Sequence, residues 1–75
     1  MIPIIGGKLD GTHAAGKVLE FSEDGENYML ISFDEEVGEK KVRRQIYVLA
    51  GGVTISEAIK LYKERAKVAG GFQRL

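Results

Sequence analysis

The sequence has no cysteine, no tryptophan, a single proline (Pro3) and a single histidine (His13) among its 75 residues. Without cysteine, neither a disulfide staple nor a thiolate metal site can form. One histidine cannot supply the paired imidazoles of the common zinc motifs. No apolar run approaches the roughly 20 residues that a membrane-spanning helix needs. Residues 1–7 carry no basic leader and no apolar stretch of signal length, which reads as a cytoplasmic protein with no membrane partner. These shortages exclude disulfide-stapled, thiolate-metal and helical membrane classes, and no cofactor is expected.

What is present is the composition of a folded protein, 44% hydrophobic and 29% charged. The length allows one domain, 1–75. A chain this short buries a thin core, so association with a second copy, most simply as a dimer, is expected to add burial. The formal net charge is zero, but its halves differ. Two lysines against nine acidic residues leave residues 1–39 at −7, and nine basic residues against two glutamates leave residues 40–75 at +7. Either the halves neutralise each other within the fold, or they meet a charged partner or a second copy.

The order of elements reads as β–(β–β–β)–α. Met1–Ile5 is apolar and β-branched, and Pro3 suits an edge strand or a strand start. Gly6, Gly7 and Gly11 mark a loop running on to Gly16. Lys17–Ser22 alternates like a strand, Asp24-Gly25 is a hairpin turn signal, and Asn27–Asp34 is the return strand. Residues 34–41 read as a charged connection before a strand over Val42–Ala50. Thr54 and Glu57 have capping-box spacing. Ile55, Ala58, Ile59, Tyr62, Ala66 and Ala69 recur at helical spacing, and Gly70-Gly71 ends the helix. The expectation is an α+β domain, a small antiparallel sheet of three to four strands with one C-terminal helix on one face. One helix cannot cover both faces, so Tyr28, Leu30, Tyr47 and Leu49 are expected to form an exposed apolar patch or a dimer seam.

Gly11-Thr12-His13-Ala14-Ala15-Gly16-Lys17 matches the start of a phosphate-binding P-loop, but Val18 stands where a hydroxyl must hold magnesium, and a strand follows instead of a helix. A non-catalytic version survives. The amides of Gly6, Gly7 and Gly11, with Lys8 nearby, form a candidate site for a small anionic ligand. The acidic runs over 20–26 and 34–39 lack calcium-loop spacing. Lys40, Lys41, Arg43 and Arg44, with Lys60, Lys63, Arg65 and Lys67, form a basic strand and helix face that suits phosphates. Arg44 interrupts an apolar strand face, so either that face is open there or Arg44 pairs with a carboxylate across the sheet or across a subunit interface. Phe72, in an apolar tail, is a further candidate contact.

Ile2-Pro3-Ile4-Ile5-Gly6-Gly7-Lys8-Leu9-Asp10-Gly11 resembles the IGGPLDG start of many small phage and prophage proteins, with Lys8 in place of the usual proline. Tyr47-Val48-Leu49 is similar to their late YVL strand, and the helix after Thr54 to their closing helix. The resemblance implies a phage-encoded (viral) accessory protein acting in a bacterial cytoplasm by binding a host component. It brings no activity and no residue roles. The resulting expectation is a non-enzymatic protein that binds a host protein or sequesters a small ligand. Partner contacts are placed at Tyr28, Leu30, Arg44, Tyr47, Leu49 and Phe72, and ligand contacts at Gly6, Gly7, Lys8 and Gly11. The alternative is a nucleic-acid-binding accessory protein using the basic strand and helix face.

Overall fold

A computed structural model describes residues 1–15 and 18–66. The Gly70-Gly71 helix end, Lys67 and Phe72 lie outside the described residues, as do Gly16 and Lys17. Five strands and one helix follow in the order β1 (Ile2–Ile5), β2 (His13–Ala14), β3 (Glu20–Glu23), β4 (Glu26–Val37), β5 (Lys40–Leu49) and α1 (Ile55–Ala66). The strands form one curled, mixed sheet in the order β2-β1-β5-β4-β3. The α+β class and the C-terminal helix are as expected, but the strand count and the purely antiparallel arrangement are not. β2 is only two residues long, too short to leave an alternating pattern, and β1 lies parallel to β5 with Ile4 opposite Tyr47 and Ile5 opposite Val48.

Turn chemistry sets both hairpins. Asp24 (φ 51°) and Gly25 (φ 79°) both lie in the left-handed region, as a type I′ turn requires. At the second turn Gly38 has φ 64° and Glu39 is not left-handed, the pattern of a type II′ turn. The stretch expected to be a charged connection over 34–41 is therefore strand on both sides of a two-residue turn. Its opposite charges face each other across the ladder, Asp34 with Arg43 and Glu36 with Lys41. Such cross-strand pairs support a ribbon that has few apolar side chains of its own.

The helix starts as its sequence requires. The Glu57 amide donates to Thr54 Oγ1 at 3.1 Å, satisfying one of the unpaired N–H groups of the first turn. Ala58, Leu61 and Tyr62, at i, i+3 and i+4, pack on Ile5, Ile46 and Val48 of the sheet. Ala58 is fully buried, and its small side chain lets the helix backbone approach closely. Ile55, expected in the buried stripe, remains 58% exposed. No helix among the described residues is long and apolar enough to cross a membrane.

The second face of the sheet is covered as well. Ile2, Ile4, Tyr28 and Tyr47 form a second buried cluster, with Leu9, Ala14, Phe21, Leu30 and Leu49 packed against it. The expected exposed patch is overturned at Tyr28 and Tyr47, both at 0% exposure, and Leu30 and Leu49 are half-buried. The physical reason is the curl. It brings β3 and the glycine loop over the concave side, so no second helix is needed to cover it.

If the sheet–helix layer is the main core, Ile46→Ala should cost about 2–5 kcal/mol in urea denaturation. Ile55→Ala, on the exposed first turn, should stay within about 0.5 kcal/mol. Equal effects would contradict this helix orientation.

Candidate functional site

The glycine loop is built around its own carboxylates. The Gly6 amide donates to Asp10 Oδ1 at 2.8 Å, and the Lys8 amide donates to Glu26 Oε1 at 2.7 Å. The Leu9 amide donates to the Tyr28 hydroxyl at 3.3 Å. That hydroxyl lies 3.2 Å from the Gly6 carbonyl and 3.4 Å from Glu26 Oε1, both acceptors for its proton. Of the amides expected to face a small anion, that of Gly6 is occupied by Asp10, and the neighbouring Lys8 amide is occupied by Glu26. Gly11 donates to the Ile4 carbonyl at 3.1 Å. Gly7 has φ 68°, and a Cβ there would sit 2.5 Å from the Tyr28 hydroxyl and 2.8 Å from Glu26 Oε1. Glycine is required at this position both by φ and by space.

Arg65, near the end of α1, clamps the loop from outside. Its Nη1 and Nη2 donate to Asp10 Oδ1 and Oδ2 at 2.5 and 2.6 Å, a two-pronged guanidinium–carboxylate pair. The Arg65 bond is the main cause that holds the Asp10 carboxyl below its ordinary value, helped by the Gly6 amide and opposed by partial burial. Burial, followed by the nearby Glu26 charge, pushes the Tyr28 phenol up.

On the concave side the aromatic rings interlock. Phe21 stacks on Tyr28 with centroids 5.1 Å apart and meets Tyr47 edge-on at 4.9 Å. The Tyr47 hydroxyl donates to the Val18 carbonyl at 2.6 Å, and the Leu30 amide donates to the Leu19 carbonyl at 2.9 Å. These bonds hold the backbone at Val18 and Leu19 while their side chains stay 54% and 80% exposed. Beside them lies a pocket of about 270 Å³, lined by Ile4, Leu9, Ala14, Val18, Phe21 and Tyr47 among others, with Glu23 as the acidic member of its lining. It sits between β2 and β3, the two outer strands of the sheet. The pattern of alternation undervalued Val18 and Leu19. Both fall in the stretch Lys17–Ser22 that alternates like a strand, but β3 begins at Glu20, so they precede the ladder and only the tertiary arrangement leaves them open.

Arg44 lies elsewhere. It shares its strand face with Ile46 and Val48, toward the helix. It pairs across the sheet with Glu35 at 3.4 Å, and Arg43 pairs with Asp34 at 2.8 Å. The acidic and basic halves therefore meet within one chain here and at Asp10–Arg65. Among the described residues no group of three metal-ligating side chains is clustered. Comparison with protein-family models, curated proteins and solved structures finds no match to this chain.

Gly7→Ala should destabilise the fold by about 1–3 kcal/mol more than Gly11→Ala, because only the first displaces the Tyr28 and Glu26 contacts as well as straining φ. Thermal melts of the two variants compare them directly, since a Cβ at Gly11 meets nothing within 4 Å. The Asp10–Arg65 pair has a signed pH dependence. A carboxyl lowered on folding adds stability above about pH 3.9 and loses it as the pH falls through the lowered folded value. Asp10→Asn should therefore be less stable than the parent at neutral pH and converge with it in acid. A constant gap down to pH 2 would mean that the pair contributes through packing alone.

Proposed function

We propose that this protein is a small non-enzymatic binding module that accepts an apolar side chain of a protein partner between the two outer strands of its curled sheet. The observation that carries the reading is the exposure of Val18 and Leu19 beside the apolar pocket, on backbone held by Tyr47 and Leu30. Anchored apolar side chains next to a preformed recess are the usual core of a protein interface. The carboxylates of Asp10, Glu26 and Asp34 are engaged in structural bonds, which supports binding over catalysis. Arg43, Arg44 and Arg65 each face a carboxylate, which favours a protein partner over nucleic acid. The phage resemblance of the first eleven residues makes a cytoplasmic host protein the partner class to test first, with self-association as a dimer through the same surface as the companion test.

A photo-crosslinking residue at position 19, compared with one at exposed position 60 on the helix, tests the reading in bacterial cells. A discrete adduct from position 19 alone is the expected result. Its mass, two chains or one chain plus another protein, identifies the partner. Equal or diffuse labelling from both positions would refute an interface at this surface.

A further inference from the structure

A second site lies where β1 and β5 separate. β1 pairs with β5 only through Ile4 and Ile5. Pro3 has no amide hydrogen to extend that ladder, and Ile2 and Pro3 pair with β2 instead. The two strands part, leaving an open groove of about 370 Å³ lined by Ile2, Pro3, Arg43, Arg44, Gln45 and, from α1, Tyr62 among others.

Arg44 is the unusual member of this lining. Its Nε is a buried donor with no hydrogen-bond partner, which is a costly arrangement in a folded chain. Its Nη2 reaches Glu35 only at 3.4 Å, well beyond the roughly 2.7–2.9 Å of a charge-assisted bond. Glu35 therefore forms a loose ion pair that leaves Nε without a hydrogen-bond partner. Arg43 beside it is engaged by Asp34 at 2.8 Å. The groove thus combines an under-satisfied guanidinium with the apolar surface of Met1 and Pro3.

We propose that this groove binds a small carboxylate with an apolar body, held by the Arg44 guanidinium through paired N–H bonds that draw in Nε. A carboxylate matches the planar fork of Nε and Nη, and the apolar body would lie along Met1 and Pro3. Glu35 competes for the same guanidinium, so binding is weak and sensitive to salt.

Benzoate titrated into ¹⁵N-labelled protein, followed by amide and arginine Nε–Hε resonances, tests the site. Sodium chloride at matched ionic strength and inorganic phosphate serve as comparisons. Saturable shifts centred on Arg44 Nε–Hε, Gln45 and Ile2 are expected with benzoate. Arg44→Gln should weaken binding at least about tenfold, and Lys60→Gln should leave it within about twofold. If Arg44→Gln fails to fold, Arg44→Lys, which keeps the charge without the planar fork, should show a similar loss. The same shifts with sodium chloride, equal binding of phosphate, or full binding by a folded Arg44 variant would each overturn the proposal. Leu19→Asp should leave benzoate binding unchanged, which separates this site from the protein-binding surface.

Discussion

The hydroxyl of Tyr28 ties the glycine loop to the sheet. It accepts the Leu9 amide and lies within hydrogen-bond reach of the Gly6 carbonyl and Glu26, while its ring is stacked by Phe21 inside the curl. A buried phenol must find partners for its polar end. Here the loop provides them, and in return its own amides are organised. Gly7 lacks a side chain because the Tyr28–Glu26 pair occupies that space. Asp10 completes the arrangement from within the loop, and Arg65 fastens it to the helix.

The fold solves the problem of a thin core by curling. A flat sheet with one helix would leave one face bare. In this chain β1 is buried on both sides, with Ile2 and Ile4 in the concave cluster and Ile5 under the helix. That is why its sequence is a continuous apolar run instead of an alternating one. The same curl creates the pocket between β2 and β3. The proposed binding surface is therefore a consequence of how the core closes.

Charge follows a comparable logic. The distal part of the β4–β5 hairpin has few apolar contacts, and it carries acids on one strand opposite bases on the other. Exposed pairs of this kind contribute only about 0–1 kcal/mol each, so their clearest role is to favour one register. Arg44 departs from that pattern. It is turned toward the helix side, paired with Glu35 only at 3.4 Å, and it is here that the carboxylate site is proposed.

Much of the secondary structure was legible from residues alone. Asp24-Gly25 specified a hairpin, Thr54 specified the helix start, and alternation separated Ile46 and Val48 from Tyr47 and Leu49, because these signals depend on local backbone sterics and side-chain period. Of the candidate site less could be read. The glycine loop was recognisable as special, but its amides face Asp10 and Glu26, and the Glu26 contact is a partner from eighteen residues away. Tyr28 and Tyr47 looked like surface because period-2 alternation reports that a strand has two faces, not what covers each. The sequence by itself determined the Asp24-Gly25 turn, the Thr54 cap, the Ala58, Leu61 and Tyr62 face of the helix and the opposed charges, since each is written within a few residues. Only tertiary structure decided the parallel β1–β5 pairing, the curl and the exposure of Val18 and Leu19, because those arise from long-range packing that brings distant segments together.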